Sequence, residues 1–244
     1  MIFLTLDLRP RRRLLLGWGL ALLVLALLAL APPDWVLPVA GRLSPIRQAP
    51  TREKVTALTF NISWGVEVPR RVLAALEEGG AKATFFVSGP WAASHPDLVR
   101  EIAGGGHTVG SLGHRHVDLT TLSRQELADD LSHADRVLEA ITGARPLFFR
   151  PPDGRLNDLV LETAGAMGYT VVTWRTDSLD WRNPPPEKIA RRVLARVAPG
   201  DIVLLNASDS ARQTDRALPA ILDGLERRGY RAVTLTELLA AESD

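Results

Sequence analysis

The stretch "ALTFNISWG", Ala57 to Gly65, begins as a short apolar run and ends in Asn61, Ser63 and a glycine. A run of four to eight apolar residues closed by turn residues reads as a buried strand. Polar groups at the carboxyl tip of such a strand are where α/β proteins begin a functional site. Asn61, however, is an amide, which neither takes up a proton at neutral pH nor carries charge. The same nine residues therefore point to a site and remove acid–base chemistry from its first position.

Beyond this strand the chain alternates apolar runs with helix-period segments. Strands are expected at Val55–Phe60, Ala83–Val87, His107–Gly110, Leu147–Phe149, Tyr169–Thr173, Ile202–Leu205 and Ala232–Thr234. Helices are expected at Pro69–Glu78, Pro96–Ala103, Ser123–Ile141, Leu156–Met167, Pro186–Val197, Gln213–Arg228 and Thr236–Ala241. Ser123 with Glu126 three residues on forms a capping box, and glycines such as Gly143 and Gly168 fall where helices should stop. Strands alternating with helices imply parallel pairing and right-handed crossovers. The fold class expected is α/β, a distorted barrel of seven strand–helix units. An open doubly wound sheet is the alternative, but no glycine-rich phosphate loop follows the first strand.

The 244 residues carry no cysteine, which excludes disulfides, thiolate nucleophiles and cysteine-based zinc sites. Any metal must sit on histidine and carboxylate. The net charge of +1 hides an asymmetry: residues 1–50 hold six Arg against two Asp, and the remainder holds 23 basic against 26 acidic residues. A mildly acidic main domain does not suit nucleic acid. The basic excess lies at Arg9, Arg11, Arg12 and Arg13, ahead of an uncharged apolar run from Leu14 to Ala31. That run is close to the length that spans hydrocarbon, and the arginines place its start in the cytoplasm. Residues 1–31 are expected to form a membrane anchor, favoured over a cleaved signal because Pro32 follows the Ala29-Leu30-Ala31 motif directly. Residues 32–53 form a proline-rich linker, and residues 54–244 the folded domain, held outside the membrane.

Five polar clusters follow the expected strands. After the first come Asn61, Ser63 and Trp64; "GSLGHRH" brings Ser111, His114 and His116; "FRPPDG" brings Arg150 and Asp153; "WRTDSLDW" brings Asp177, Asp180 and Trp181; "LLNASDS" brings Asn206, Ser208 and Asp209. Five such clusters on one rim are hard to explain by packing. Each has a plainer reading too: His114 and His116 as loop histidines, Arg150 as half of a structural ion pair with Asp177, Asp209 as a cap for the next helix. Trp64, Trp91, Trp174 and Trp181 all read first as core; Trp64 and Trp181, beside the polar rim, also suit stacking on a sugar ring.

The order of these motifs resembles the polysaccharide deacetylase family, the NodB-homology domain of carbohydrate esterase family 4, from about Val55 to Leu239. "ALTFNISWG" resembles its first motif, usually Thr-Phe-Asp-Asp-Gly; the run from Lys82 to His116 resembles the strand, helix and His motif; "FFRPPDG", "DSLDW" and "GDIVLLNASDS" resemble the rest. "ISWG", "GPW" and "ASDSARQTDRALP" look most like the sporulation-associated branch. The resemblance implies a distorted seven-unit barrel and removal of acetyl groups from N-acetylated sugars. In that family a divalent metal, usually zinc, activates water, an Asp acts as base and a His protonates the leaving amine.

Carried over residue by residue, the machinery is largely replaced. The base position is Asn61, the metal Asp position Ile62, the first metal His Leu112 and the general acid Asn206; His116, Arg150, Asp177 and Asp180 match. Losing a positioned acid or base costs about 10²–10⁴ in rate each, and a catalytic zinc normally keeps three protein ligands. The expected protein is therefore an envelope protein that holds an N-acetylated glycan (peptidoglycan or a chitin-like polymer) without turning it over. Asn61, Arg150, Asp177 and Asn206 line its cleft; Trp64, Asp180, Trp181 and Ser208 contact the sugar. Two alternatives stay open: a metal enzyme with a re-routed His107, His114 and His116 site, and a scaffold for a protein partner.

Overall fold

The computed structural model describes residues 44–240. The expected anchor at residues 1–31 lies outside them, as does most of the linker. No helix among the described residues is long and apolar enough to cross a membrane.

Eight strands form one wholly parallel sheet: β1 (Val55–Ile62), β2 (Thr84–Val87), β3 (Thr108–Ser111), β4 (Phe148–Phe149), β5 (Thr170–Val171), β6 (Thr176–Asp177), β7 (Asp201–Asn206) and β8 (Arg231–Val233). Among the described residues eight α-helices are interspersed, besides three single-turn 3-10 segments: α1 (Glu67–Glu78), α2 (Gly89–Ser94), α3 (Pro96–Gly104), α4 (Arg124–Thr142), α5 (Asp158–Ala166), α6 (Pro186–Arg196), α7 (Thr214–Glu226) and α8 (Leu235–Ala240). The spatial order is β5-β4-β3-β2-β1-β7-β6, and β8 joins β1. β1 shares one edge between two partners, pairing with β8 through Val55–Ala57 and with β2 through Thr59–Ile62. This is the parallel α/β architecture expected, in a distorted barrel form. Two elements were not expected from sequence: β6, only two residues long, and α2, a single turn and a half behind Gly89-Pro90.

Alternation along β1 sorts its side chains into two layers. Leu58, Phe60 and Ile62 pack outward against α1, α2 and α7 in the larger apolar cluster, with Phe85 of β2 and Val203 and Leu205 of β7. Val55 and Ala57 face the barrel interior with Phe86, Leu112, Phe148, Val172 and Ile202. Thr59 and Asn61 share the parity of Ala57 and so face the interior near its carboxyl end.

The sheet does not close on itself, because β5 and β6 stand at its two ends without a ladder between them. The gap is covered by residues ahead of the expected domain boundary. Ile46 pairs beside Val172 and Gln48 beside Asp201. The Ile46 N–H donates to the Val171 carbonyl at 2.9 Å, its own carbonyl accepts from Thr173 N–H at 2.9 Å, and Ala49 N–H donates to the Gly200 carbonyl at 2.8 Å. Ala49 is fully buried in the interior cluster. Ile46–Ala49, within the stretch expected to be linker, thus pairs with the sheet. Prolines on an edge segment leave the other backbone groups free to pair.

Candidate functional site

Asn61 is the last inward-facing residue of β1. In register with it lie Asn206, ending β7, and Phe86 of β2. Parallel neighbours sit about 4.8 Å apart and point the same way, so the two amides stand side by side. Arg150, directly after β4, reaches beneath them. Its Nη1 donates to Asn61 Oδ1 at 3.0 Å, and its Nη2 donates to Thr59 Oγ1 at 2.8 Å and to the Thr173 carbonyl at 3.2 Å. Its guanidinium lies 4.0 Å from the centre of the Phe86 ring and 5.5 Å from that of Trp174. Arg150 is fully buried, its Nε has no partner, and none of its acceptors is a carboxylate. Burial without a counter-ion pulls the guanidinium down to about 9, so it remains a cation at neutral pH.

The expected pair of Arg150 with Asp177 does not form. Asp177 lies on β6, beyond β7, and its carboxylate accepts from Leu179 N–H at 2.8 Å in a tight turn. The turn is held by Leu179 in the left-handed region at φ 57°, uncommon for a branched residue. It delivers Asp180 underneath Asn206. Asp180 is fully buried; its Oδ1 accepts from Asn206 Nδ2, and its Oδ2 accepts from Asn206 N–H and Thr214 Oγ1, each at 2.7 Å. Burial raises its pKa, opposed by the hydrogen bonds from Asn206, Thr214 and Ser178.

Asp180 and Ser208, expected to touch sugar, instead support the site from below. Ser208 is almost wholly buried, and its hydroxyl accepts from Ser63 N–H at 3.0 Å. Asp209 caps a helix, but α1 rather than its own: Oδ2 accepts from Val66 N–H at 3.2 Å and Oδ1 from Val68 N–H at 2.7 Å. Thr59, Phe86 and Thr214 are site residues the sequence reading missed. Only the period of two along β1, counted back from Asn61, pointed to Thr59.

The metal positions come apart. Leu112 fills the interior against Phe86 and Phe148. Ile62 points into the helix-side core, because adjacent strand residues face opposite sides. His107 precedes β3 while His114 and His116 follow it, so a four-residue strand of about 13 Å separates them. His107 Nδ1 accepts from Ala83 N–H at 3.1 Å, and burial with the nearby Lys82 lowers it to about 4. His114 turns toward α4, its ring 5.4 Å from that of His133. His116 is exposed. The re-routed histidine site is therefore not assembled, and among the described residues no three His, Asp or Glu side chains group as a metal site. The donor set at Asn61, Ile62, Leu112 and His116 does not fit a catalytic zinc.

Two tryptophans among the described residues are largely exposed. Trp64 is 68% exposed on the loop after β1, and Trp181 is 52% exposed on the loop after β6. Trp91 and Trp174 are the packed ones: Trp91 is buried, donating Nε1–H to the Gly65 carbonyl at 2.7 Å, and Trp174 is partly buried against Arg150.

Residues 48–172 match the model of the polysaccharide deacetylase family. A peptidoglycan-N-acetylglucosamine deacetylase of Bacillus cereus is 37% identical over 79% of this chain and 91% of its own length. The uncharacterized protein YlxY of Bacillus subtilis is 29% identical over 80% of this chain, which spans only 60% of that relative. Among solved structures, a carbohydrate esterase family 4 pseudoenzyme from Bacillus anthracis superposes with a TM-score of 0.76 at 33% identity, covering 80% of this chain and 69% of that one. A mutant of that protein with restored enzymatic activity superposes equally, at 33% identity over 80% of this chain and 71% of its own.

Proposed function

Because the chain belongs to the polysaccharide deacetylase family, we propose that it holds an intact N-acetylated glycan of the cell envelope and does not hydrolyse it. The observation that carries this reading is the orientation of the two amides. A guanidinium only donates and a carboxylate only accepts. Arg150 therefore draws in the oxygen of Asn61, leaving Nδ2 turned away from it. Asp180 draws in Nδ2 of Asn206, leaving Oδ1 turned away. Asn61 and Asn206 together offer a donor and an acceptor side by side. An acetamido group is their complement: its carbonyl accepts from Asn61 and its N–H donates to Asn206. Neither amide moves a proton to or from water or a leaving amine, so this pair binds without driving hydrolysis.

Peptidoglycan is the polymer favoured, because the Bacillus cereus relative is a peptidoglycan-N-acetylglucosamine deacetylase. We place the domain outside the membrane, tethered by residues 14–31, on the arginines that precede that apolar run. The test is equilibrium binding of the purified chain to an N-acetylated glycan and to the same polymer after chemical de-N-acetylation, with acetate and zinc assayed in parallel. Expected are binding to the first, at least about tenfold weaker binding to the second, and no acetate. Stoichiometric zinc with chelator-sensitive acetate release overturns the reading.

A further inference from the structure

We propose that the flank formed by α6 and α7 is a docking face for an anionic lipid surface, and that it lays the domain against the membrane to which its own chain is tied. The inference rests on the tether placed above at residues 14–31. It adds two observations: the charges that folding leaves exposed on two adjoining helices, and the side of the molecule on which the described chain starts.

α6 buries Ile189, Ala190 and Val193 and exposes Lys188, Arg191 and Arg196, with Arg192 half-buried beside them. Lys188, Arg191 and Arg192 share one outward face by the helical period, and the one acid of the helix is Glu187. α7 packs alongside, with its Gly224 so near Leu194 that a Cβ there would stand 2.3 Å from that side chain. It adds exposed Arg216 and Arg227, and Arg228 follows its end, against Asp223 and Glu226. The Arg228 guanidinium donates to the Leu194 carbonyl, joining the end of α7 to α6. Two nearby carboxylates that could neutralise this face are engaged elsewhere. Asp201 is fully buried with Arg175 and Thr176, and Asp215 accepts from Arg71 of α1 at 2.7 Å. Lys188, Arg191, Arg196 and Arg216 form no ion pair among the described residues. α4 has the opposite balance, with exposed Glu126, Asp129 and Glu139 against Arg124 and Arg136. A mildly acidic domain thus gathers its basic charge on one flank.

The described chain starts on that flank. Ile46–Ala49 lies in the seam between β5 and β6. Hydrogen bonds tie it to the residues beside α6: Arg47 Nε donates to the Trp174 carbonyl at 3.1 Å, and Gln48 Nε2 to the Pro199 carbonyl at 2.8 Å. Arg175, next in the chain to Trp174, donates Nη1–H to the Arg196 carbonyl at 3.0 Å. Residues 32–43 separate Ser44 from the apolar run and reach at most about 40 Å. The flank beside the point of entry is therefore the basic one, on a short leash.

The physics suits lipid phosphate. Each Lys or Arg held near an anionic bilayer strengthens association about fivefold, and a guanidinium can grip a phosphate through two parallel N–H bonds. A tether makes the contact intramolecular, so a modest attraction suffices. Helices of this architecture lie alongside its strands. With α6 and α7 on the bilayer, the strands run along it, and the site at their carboxyl ends opens sideways onto glycan next to the membrane.

The experiment reconstitutes the full-length chain in nanodiscs of phosphatidylcholine alone and of phosphatidylcholine mixed with phosphatidylglycerol, then labels exposed arginines with phenylglyoxal for mass spectrometry. Labelling of Arg191, Arg196 and Arg216 is expected to fall at least about fivefold in the anionic discs and to recover in about 0.5 M salt, while Arg136 on α4 labels equally in both. In the variant carrying Arg191→Glu, Arg196→Glu and Arg216→Glu, Arg227 is expected to label equally in both discs, with an unchanged melting temperature. Equal labelling of the unaltered chain in both discs overturns the docking face while the tether stands. Protection by soluble poly(glycerol phosphate) but not by anionic lipid assigns the patch to an anionic polymer and overturns the membrane as its partner. A chain that washes off the discs in alkaline carbonate overturns the tether and the inference with it.

Discussion

Arg150 is a buried cation whose side chain faces an amide where its surroundings would accommodate a carboxylate. Its exposure is nil, and its acceptors are a hydroxyl, an amide oxygen and a carbonyl. Asn61→Asp places a charge within reach of Nη1 and is expected to stabilise the fold by about 2 kcal/mol, a rise of roughly 5 °C in Tm for a domain of this size. The added carboxylate has its folded pKa depressed by Arg150. The gain is therefore present at pH 7 and lost as the pH falls below about 4. Calorimetry at both pH values checks this, and an unchanged or lowered Tm at pH 7 counts against the uncompensated charge. The reverse arrangement holds at Asp180, a buried carboxylate with no cation. Asn206→His is expected to give an imidazole whose pKa lies above the usual 6.5, raised by Asp180, so that the stabilisation it brings is present below pH 6.5 and fades as the pH rises through the folded value. A proton NMR titration that finds the imidazole at or below 6.5 contradicts it.

At the scale of elements, what the sequence announced and what it hid follow from length. The long amphipathic helix α4 was legible, capping box included, because Ser123 and Glu126 satisfy each other locally: Glu126 N–H donates to Ser123 Oγ, and Ser123 N–H to Glu126 Oε2. β6 was not, because two residues paired with Val203 and Leu204 leave no periodicity to read. Nor was the role of Ile46–Ala49, whose partners lie more than a hundred residues away. The same blindness produced the expected pair of Arg150 with Asp177: the tight turn at Leu179 draws that carboxylate onto its own loop, and no carboxylate reaches the guanidinium. Two measurements test these elements. A chain shortened to begin at Lys54 is expected to lose roughly 3 kcal/mol against one beginning at Leu43, from the lost burial of Ile46 and Ala49 and three backbone hydrogen bonds. Equal urea midpoints for the two chains would mean that the segment merely decorates the barrel. Asp209→Ala, which strips two N–H groups of α1 of their acceptor, is expected to cost about 1–2 kcal/mol, measured by the same midpoints; a cost near zero would return Asp209 to the role of a surface residue.

For the molecule as a whole, the positions that match the family's metal and acid–base residues are replaced in two different ways, and they are not equally reversible. Asn61, Leu112 and Asn206 face the interior, so acid, base and ligand can be put back where the chemistry would need them. Ile62 does not face it. Asn61→Asp, Leu112→His and Asn206→His together are expected to yield a folded protein whose Tm rises with added zinc. Ile62→Asp alone, by leaving an unpaired carboxylate among Val87, Leu205 and Ala207, is expected to cost roughly 3–5 kcal/mol. Differential scanning with and without zinc decides: a triple variant indifferent to zinc would show that the loop bearing His116 has drifted beyond reach, and a well-tolerated Ile62→Asp that the strand tip can turn over.

The seam between β5 and β6 carries a temporal consequence. Ile46 and Ala49 leave the ribosome before any strand of the sheet, yet the neighbours they need, Val172 and Gly200, are made 126 and 151 residues later respectively. Joining ends so far apart adds a closure entropy that grows with the logarithm of the intervening length, and pairings of this separation slow folding. This early segment can thus dock only after β5 and the start of β7 have been made, and until it does the nascent barrel presents an unsealed flank.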